Sequence, residues 1–415
     1  MNYRERRNKL MEDLEDGSIA FLFSGKAPVR SADEAYPFVV NRSFYYMTGI
    51  DRENMTLMLI KNEDRVISSL FIEPYDPDLA RWVGGRMRPE EAKREGDVDE
   101  VFSNEEFNSV FHREIQSCPF LSSRKIGLDL SKNDWDQADD EAYKVAAFLS
   151  KQYPQLSVVN LHPTLAMLRM IKDEDELELM RKAQTATIVA VKSMMRYCRP
   201  GINETELEGA FDFGLMRQGI REHAFPTICA SGQNSTTLHY SSNNEMIEDG
   251  DLVLCDLGGA FGHYCADMTR TFPANGKFTD RQKQIYDIVL EGQRLVMDAI
   301  CPGVTLRQLN QTLLRFYAVK LKEIGLLENG RTVRDYYFHG VSHHLGLDTH
   351  DVSLNAMPLQ PGMVITVEPG LYLAEEGIGI RIEDDVLVTK KGYENLSAAM
   401  LHTTEEIEAY MNKGE

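Results

Sequence analysis

The spacing of apolar residues predicts an N-terminal domain that mixes strands and helices. Short apolar or alternating runs, which are typical of strands, occur at residues 18–23, 56–60, 65–72 and 156–159. Helical spacing is found at residues 139–152, and the mixed-charge stretch 1–10 also favours a helix. We therefore predict an α/β domain over residues 1–160.

Beyond residue 160 the pattern predicts four long helices. Each begins at a capping pair, in which an N-cap residue precedes an acid or amide by three positions. The pairs are Asp173 with Glu176, Asn203 with Glu206, Thr279 with Gln282, and Thr305 with Gln308. The expected stops are Pro200, Gly219, Pro302 and Gly325. The first helix has its apolar face at Leu177, Met180, Ala183, Thr187 and Val191. Strands follow each pair of helices, so residues 161–415 are expected to form a second domain with an internal duplication.

One predicted hairpin of this second domain carries an acid in each strand. The run Leu252–Leu257 is apolar except for Asp256, residues 258–262 have turn chemistry, and the return strand at 263–272 contains Asp267. If the hairpin folds midway between the two acids, they lie opposite each other, about 5 Å apart. Two ionised carboxylates that close repel each other, and a cation between them removes the repulsion.

A second predicted hairpin repeats this arrangement. The strand at 363–368 ends at Pro369, which keeps Glu368 extended. Residues 379–383 alternate, with Arg381 and Glu383 on one face, and a fold midway within residues 374–377 puts Glu383 opposite Glu368. A lone acid in a strand is usually a surface residue, but two hairpins that each face one acid with another seldom arise by chance. With His343, the four carboxylates suit a pair of divalent ions.

The segments that carry these residues resemble the proline-specific pita-bread metallopeptidases, which are the Xaa-Pro aminopeptidases (aminopeptidase P) and the prolidases. The resemblance is carried by residues 256–258, 266–271, 339–351, 367–370 and 381–385, and it extends over nearly the whole chain. Thr349 is one small departure. The resemblance implies an aminopeptidase P-type domain at 1–160 and a pita-bread domain at 161–415. It also implies a homo-oligomer, a dimer or tetramer, that acts on peptides with proline in the second position.

The same resemblance implies roles for individual residues. Two metal ions, Mn²⁺ before Co²⁺ or Zn²⁺, are expected on Asp256, Asp267, His343, Glu368 and Glu383. The expected catalytic residues are His239, His339, His350, Glu368 and Arg381. The three histidines would bind substrate and move protons, which suits a side chain whose pKa lies near neutrality. Arg381 is expected to orient Glu383 or to compensate charge.

Prolidase remains an alternative, because prolidases hold the carboxylate of a dipeptide with a cation. Neither residues 351–367 nor residues 373–378 contain an arginine or lysine, which favours longer peptides. A methionine aminopeptidase would not need the N-terminal domain. A non-catalytic relative or a creatinase-like hydrolase would typically lose metal ligands, and all five are present.

Composition and charge limit the partners and the cellular compartment that we expect for this protein. The 415 residues carry a formal net charge of −20, which argues against nucleic acid or an anionic membrane as the main partner. We find no secretory or membrane-spanning segment and therefore expect a cytoplasmic protein. The cysteines show no CxxC spacing, and Cys255 and Cys265 are predicted to be small core residues. Trp82, in a glycine-rich stretch, is either a surface residue or part of a lid on the site of a neighbouring subunit.

Overall fold

The computed structural model describes residues 1–63, 65–116, 125–354 and 356–412. Contacts divide the chain into two compact units, Met1–Arg169 and Met170–Glu415. The domain ranges predicted from the sequence divide it instead between residues 160 and 161. The difference is the helix His162–Met170, of which all but the last residue belongs to the first unit.

The first unit contains seven α-helices, one 3-10 helix (Asn104–Glu106) and eight strands among the described residues. The helices are α1 (Tyr3–Met11), α2 (Arg42–Thr48), α3 (Ala80–Val83), α4 (Pro89–Glu95), α5 (Phe107–Gln116), α6 (Glu141–Gln152) and α7 (His162–Met170). The strands are β1 (Ile19–Phe23), β2 (Val29–Ser31), β3 (Glu34–Ala35), β4 (Thr56–Asn62), β5 (Arg65–Ile72), β6 (Glu100–Ser103), β7 (Lys125–Leu128) and β8 (Ser157–Asn160). The strands predicted from the apolar runs are β1, β4, β5 and β8, and the predicted helices are α1 and α6.

The main sheet of this unit has the order β6-β5-β4-β1-β7-β8. Strands β1, β4 and β5 run antiparallel to their neighbours in that group, and the outer pairs are parallel. Its core is aromatic, because the ring of Phe21 packs 5.3 Å from Phe111 and Phe71 packs 5.0 Å from Phe107. Trp82 lies in the short helix α3, not in a loop, and is 86% exposed.

The second unit has long helices around several small antiparallel sheets. Its helices are α8 (Glu174–Tyr197), α9 (Glu204–Arg217), α10 (Asp280–Asp298), α11 (Leu306–Glu323) and α12 (Thr404–Met411). Its strands are β9 (Ile228–Ser231), β10 (Leu252–Leu257), β11 (Ala260–Phe261), β12 (Tyr264–Cys265), β13 (Met268–Pro273), β14 (Val364–Val367), β15 (Gly370–Leu373), β16 (Ile378–Arg381), β17 (Asp384–Val388) and β18 (Tyr393–Asn395). Two three-stranded sheets, β13-β10-β9 and β14-β17-β18, carry the acidic segments.

The four helix starts predicted from the sequence are confirmed. In each capping pair, the backbone N–H of each residue donates to the side chain of the other, so both hydrogen bonds of the pair form. The predicted apolar face of α8 is buried along its whole length. Several short elements of this unit were not predicted, among them helix α12 and strands β9, β15, β17 and β18.

The described cysteines are free thiols. Cys255 and Cys265 are buried, as predicted, and so are Cys198 and Cys229, whereas Cys301 is exposed. Cys118 lies outside the described residues. None of the described helices is both long enough and apolar enough to cross a bilayer.

Candidate metal centre and substrate site

The first acid-bearing hairpin forms, but its register differs from the prediction by two residues. Asp256 pairs with Thr269 and not with Asp267, which lies just before β13. The two acids therefore share a face and are diagonal neighbours. The reason is the position of the turn, which is a two-residue loop at Gly262 and His263, with φ values of 56° and 64°.

Gly258 explains why the sequence analysis predicted the turn at the wrong position. A side-chain Cβ at this glycine would lie 1.8 Å from the carbonyl oxygen of Ala266. The glycine is thus needed for close approach of the two strands and takes no part in the turn. A glycine-rich run contains both uses, and the sequence alone does not separate them.

The second hairpin has the predicted register. Val367 pairs with Asp384 in one ladder, and Gly370 pairs with Arg381 in the next. Both pairs belong to the same register, so Glu368 and Glu383 lie opposite each other in the break between the ladders.

These segments bring a histidine and several carboxylates into one buried cluster. Asp267, His343 and Glu383 each present a ligand atom within 4.8 Å of the other two. The Nε2 atom of His343 lies 3.5 Å from a carboxylate oxygen of Asp267 and 3.5 Å from one of Glu368. Its Nδ1 atom faces the carbonyl oxygen of His344 at 3.0 Å, which assigns the proton to Nδ1 and leaves Nε2 as a possible ligand.

The electrostatics of the cluster favour binding of a cation. Burial raises the pKa of Asp267 to about 6 and that of Glu368 to about 7, and like charges add to both shifts. Burial and the neighbouring acids also raise the pKa of Glu383 well above its ordinary value. Burial opposes protonation of His343, but Asp267 and Glu368 outweigh it and raise its pKa to about 9.

Arg381 joins the acids to a polar network, and its charge partly offsets the acids because it lowers the pKa values of Asp267, Glu368 and Glu383. It contacts Asp256, with 2.7 Å between the guanidinium and Oδ2. Glu383 is reached through Thr269, whose hydroxyl accepts from Nε of Arg381 at 3.0 Å and lies 2.6 Å from Glu383. The guanidinium also donates to the hydroxyl of Tyr372 at 3.0 Å.

The three predicted substrate histidines occupy different surroundings. His339 lies 2.9 Å from the Tyr372 hydroxyl, and burial, followed by the charge of Arg381, lowers its pKa to about 4. The ring of His350 packs 4.3 Å from His343, and burial lowers the pKa of this side chain as well. His239 is exposed and contributes to lowering the pKa of both.

Sequence reasoning missed several side chains that support the cluster. Tyr372 connects His339 with Arg381. Asp385 accepts the backbone N–H of Asp267 at 3.0 Å. Thr269 could have been found, since it lies two residues after Asp267 along the extended chain and therefore faces the same side. Asp385 carries the same signal, because it lies two residues after Glu383, whereas Tyr372 carries no such local signal.

Comparison with known proteins matches both parts of the chain to known protein families. The sequence model of metallopeptidase family M24 matches residues 178–390, and that of the aminopeptidase P N-terminal domain matches residues 3–121. The chain is 35% identical to the Xaa-Pro aminopeptidase of Escherichia coli K12 over 99% of its own length and 97% of the relative's.

Solved structures agree with this assignment. A provisionally assigned aminopeptidase P from Bacillus anthracis superposes with a TM-score of 0.96 at 42% identity, covering 99% of this chain and 98% of the other. Zinc-substituted E. coli aminopeptidase P in complex with product gives a TM-score of 0.90 at 34% identity, covering 99% and 97%.

These relatives confirm the predicted fold, which is an N-terminal α/β domain followed by a pita-bread domain. They also confirm the prediction of a metal-dependent aminopeptidase and favour it over prolidase. The chain belongs to metallopeptidase family M24 and, within that family, to the aminopeptidase P enzymes.

Proposed function

We propose that this chain removes the first residue from peptides with proline in the second position by hydrolysing the Xaa-Pro bond. The observation that carries the proposal is the buried cluster of Asp267, His343 and Glu383. Glu368 and Asp256 lie close enough to this cluster to perturb its pKa values. Relatives named Xaa-Pro aminopeptidase along the whole chain support the choice of substrate.

The five proposed ligands fit two divalent ions. They are Asp256, Asp267, His343, Glu368 and Glu383. The Oδ1 atom of Asp256 is buried without a hydrogen-bond partner, which is costly unless a cation meets it. The raised pKa values of Asp267, Glu368 and Glu383 point the same way, because a cation would favour the charged form of these three acids.

The bound ions would lower the pKa of a coordinated water and polarise the carbonyl group of the scissile bond. Glu368 would then take a proton from this water as the water attacks the carbonyl carbon. It would transfer that proton to the proline nitrogen, which is the leaving group. The transfer is needed because the proline nitrogen carries no N–H in the peptide bond and must be protonated before it leaves.

The remaining polar residues would hold the substrate and the ligands in place. We assign His239, His339 and His350 to substrate binding. Because burial lowers the pKa of His339 and His350, both would be neutral at pH 7 and could meet a peptide without adding charge to a metal-loaded site. Arg381 would fix Asp256 through their direct ion pair.

We further propose Mn²⁺ as the resident ion, because four of the five ligands are carboxylates, although Co²⁺ or Zn²⁺ would also fit such a site. The free thiols suit the reducing conditions of the cytoplasm. We also propose a homo-oligomer, a dimer or tetramer, as the resemblance to the family implies.

Release of the first residue from Ala-Pro and from Ala-Pro-Ala, measured side by side with Mn²⁺-loaded protein, tests this function. We expect cleavage mainly of the tripeptide. Cleavage mainly of the dipeptide would identify a prolidase and refute the argument from the missing arginine. Glu368→Gln, with metal content measured in parallel, is the control, and it should abolish turnover.

A further inference from the structure

His239 lies in a long irregular connection. Strand β9 ends at Ser231 and β10 begins at Leu252, and the 3-10 helix Gly232–Thr236 is the regular structure within residues 232–251, all of which are described. A side chain that binds substrate from such a segment works only if other groups fix the backbone around it.

A single buried carboxylate fixes this connection at several points. Glu204, the first residue of α9, is 0% exposed. Its Oε1 atom accepts from the backbone N–H and the hydroxyl of Ser231, both at 2.7 Å, and from the amide of Asn234 at 3.2 Å. Its Oε2 atom accepts from the Tyr240 hydroxyl at 2.8 Å and from the backbone N–H of Glu245 at 3.1 Å. The end of β9, the 3-10 helix and the segment after His239 are thus joined at one group.

The residues on either side of His239 are also held inward. Leu238 and Tyr240 pack against a buried cluster that includes Tyr372, whereas His239 between them is exposed. Tyr372 is the residue that contacts His339 and Arg381. The direction in which His239 points is therefore set by its neighbours, and the strongest polar bond on those neighbours is the one from Tyr240 to Glu204.

We propose that Glu204 is a positioning residue that acts through Tyr240 to hold His239 in the substrate site. Glu204 touches neither substrate nor metal in this scheme. The inference rests on the proposed function, because it requires that His239 binds substrate.

The five donors explain why this group must be a carboxylate. Both oxygens face donors, and a carboxylate only accepts. In Glu204→Gln the new NH₂ group would face donors whichever way the amide turned, and in Glu204→Ala five donors would lose their acceptor. Either variant risks unfolding, so the bond at Tyr240 is the better place for a test.

Tyr240→Phe and Ser231→Ala form a matched pair. Each removes one hydroxyl that donates to Glu204, but only Tyr240 adjoins His239. We expect Tyr240→Phe to lower kcat/KM for Ala-Pro-Ala by about tenfold, the equivalent of one hydrogen bond to a charged group. Ser231→Ala should change it by less than about twofold, although thermal unfolding should show both variants destabilised.

A cycle with His239→Ala separates positioning from a general structural effect. If Tyr240 acts through His239, Tyr240→Phe will cause no further loss of kcat/KM once His239 is alanine. A full additional loss in that background, or an equal loss in Ser231→Ala, would overturn the proposal. Wild-type kinetics in His239→Ala would overturn it together with the role of His239. A wild-type protein that binds metal but cleaves no Xaa-Pro peptide would instead refute the proposed function itself.

Discussion

Lys172 and Asp351 form an ion pair that is almost completely removed from water. Their charged atoms are 3.1 Å apart and each side chain is 1% exposed. The backbone N–H of Asp351 also donates to the carbonyl oxygen of His344, and this bond closes the loop that carries His350. Lys172→Met would remove the cation of this buried ion pair, and breaking such a pair typically costs about 3–5 kcal/mol of folding free energy.

For a unit of this size, that loss corresponds to a fall of roughly 6–20 °C in the Tm of the second unit. The measurement is thermal unfolding in the presence of a chelator, so that metal binding does not hide the change. Arg281→Met is the control. Arg281 and its partner Glu376 are each about one-third exposed, and a pair this exposed contributes about 0–1 kcal/mol to folding stability.

The double variant Lys172→Met/Asp351→Leu should recover most of the lost stability, since apolar residues of similar volume often replace a buried ion pair at little cost. The reasoning would be refuted if Lys172→Met were no less stable than Arg281→Met. It would also be refuted if Lys172→Met/Asp351→Leu were no more stable than Lys172→Met.

Three further predictions follow from contacts already described. Gly258→Ala should prevent β10 and β13 from pairing correctly, since its Cβ would meet the Ala266 carbonyl at 1.8 Å, and a folded variant with wild-type circular dichroism would contradict this. Arg381→Lys keeps a charge but cannot reproduce all three contacts of the guanidinium, so kcat/KM for Ala-Pro-Ala should fall by about 10²-fold or more, with unchanged activity as the contrary result. Burial alone would raise the pKa of Asp99, but hydrogen bonds from Ser68 and Arg4 lower it to about 2. The stability advantage of wild type over Asp99→Asn should therefore be constant above about pH 5 and fade as the pH falls towards 2, whereas urea unfolding with a pH-independent difference would show that this carboxylate is not stabilised by those bonds.

Local signals predicted the four longest helices and the acid-bearing strands, and long-range contacts account for much of what was missed. Capping pairs predicted four helix starts because both bonds of each pair lie within three residues. Pro369 and the alternation before Glu383 sufficed for the second hairpin. The first hairpin was misregistered because a run with three glycines does not reveal which of them approaches a carbonyl group and which forms the turn.

The support of the site could not be predicted in the same way. The five donors to Glu204 come from residues 27 to 41 positions away, and nothing near Glu204 in the sequence announces them. The contact between Tyr372 and His339 spans 33 positions. Such contacts depend on how elements pack, which periodicity and capping do not determine.

The common register of the two ladders around Glu368 and Glu383 makes the tip of the second hairpin a natural place for insertions. Because the pairing of β14 with β17 fixes these acids from one side, their alignment does not depend on the length of the turn that joins β15 to β16. Residues at that turn, Glu375 and Glu376, make their bonds near the surface. A peptide tag or a fluorescent label could therefore be spliced into this turn, and related chains could lengthen it in evolution, without disturbing the alignment of the two acids.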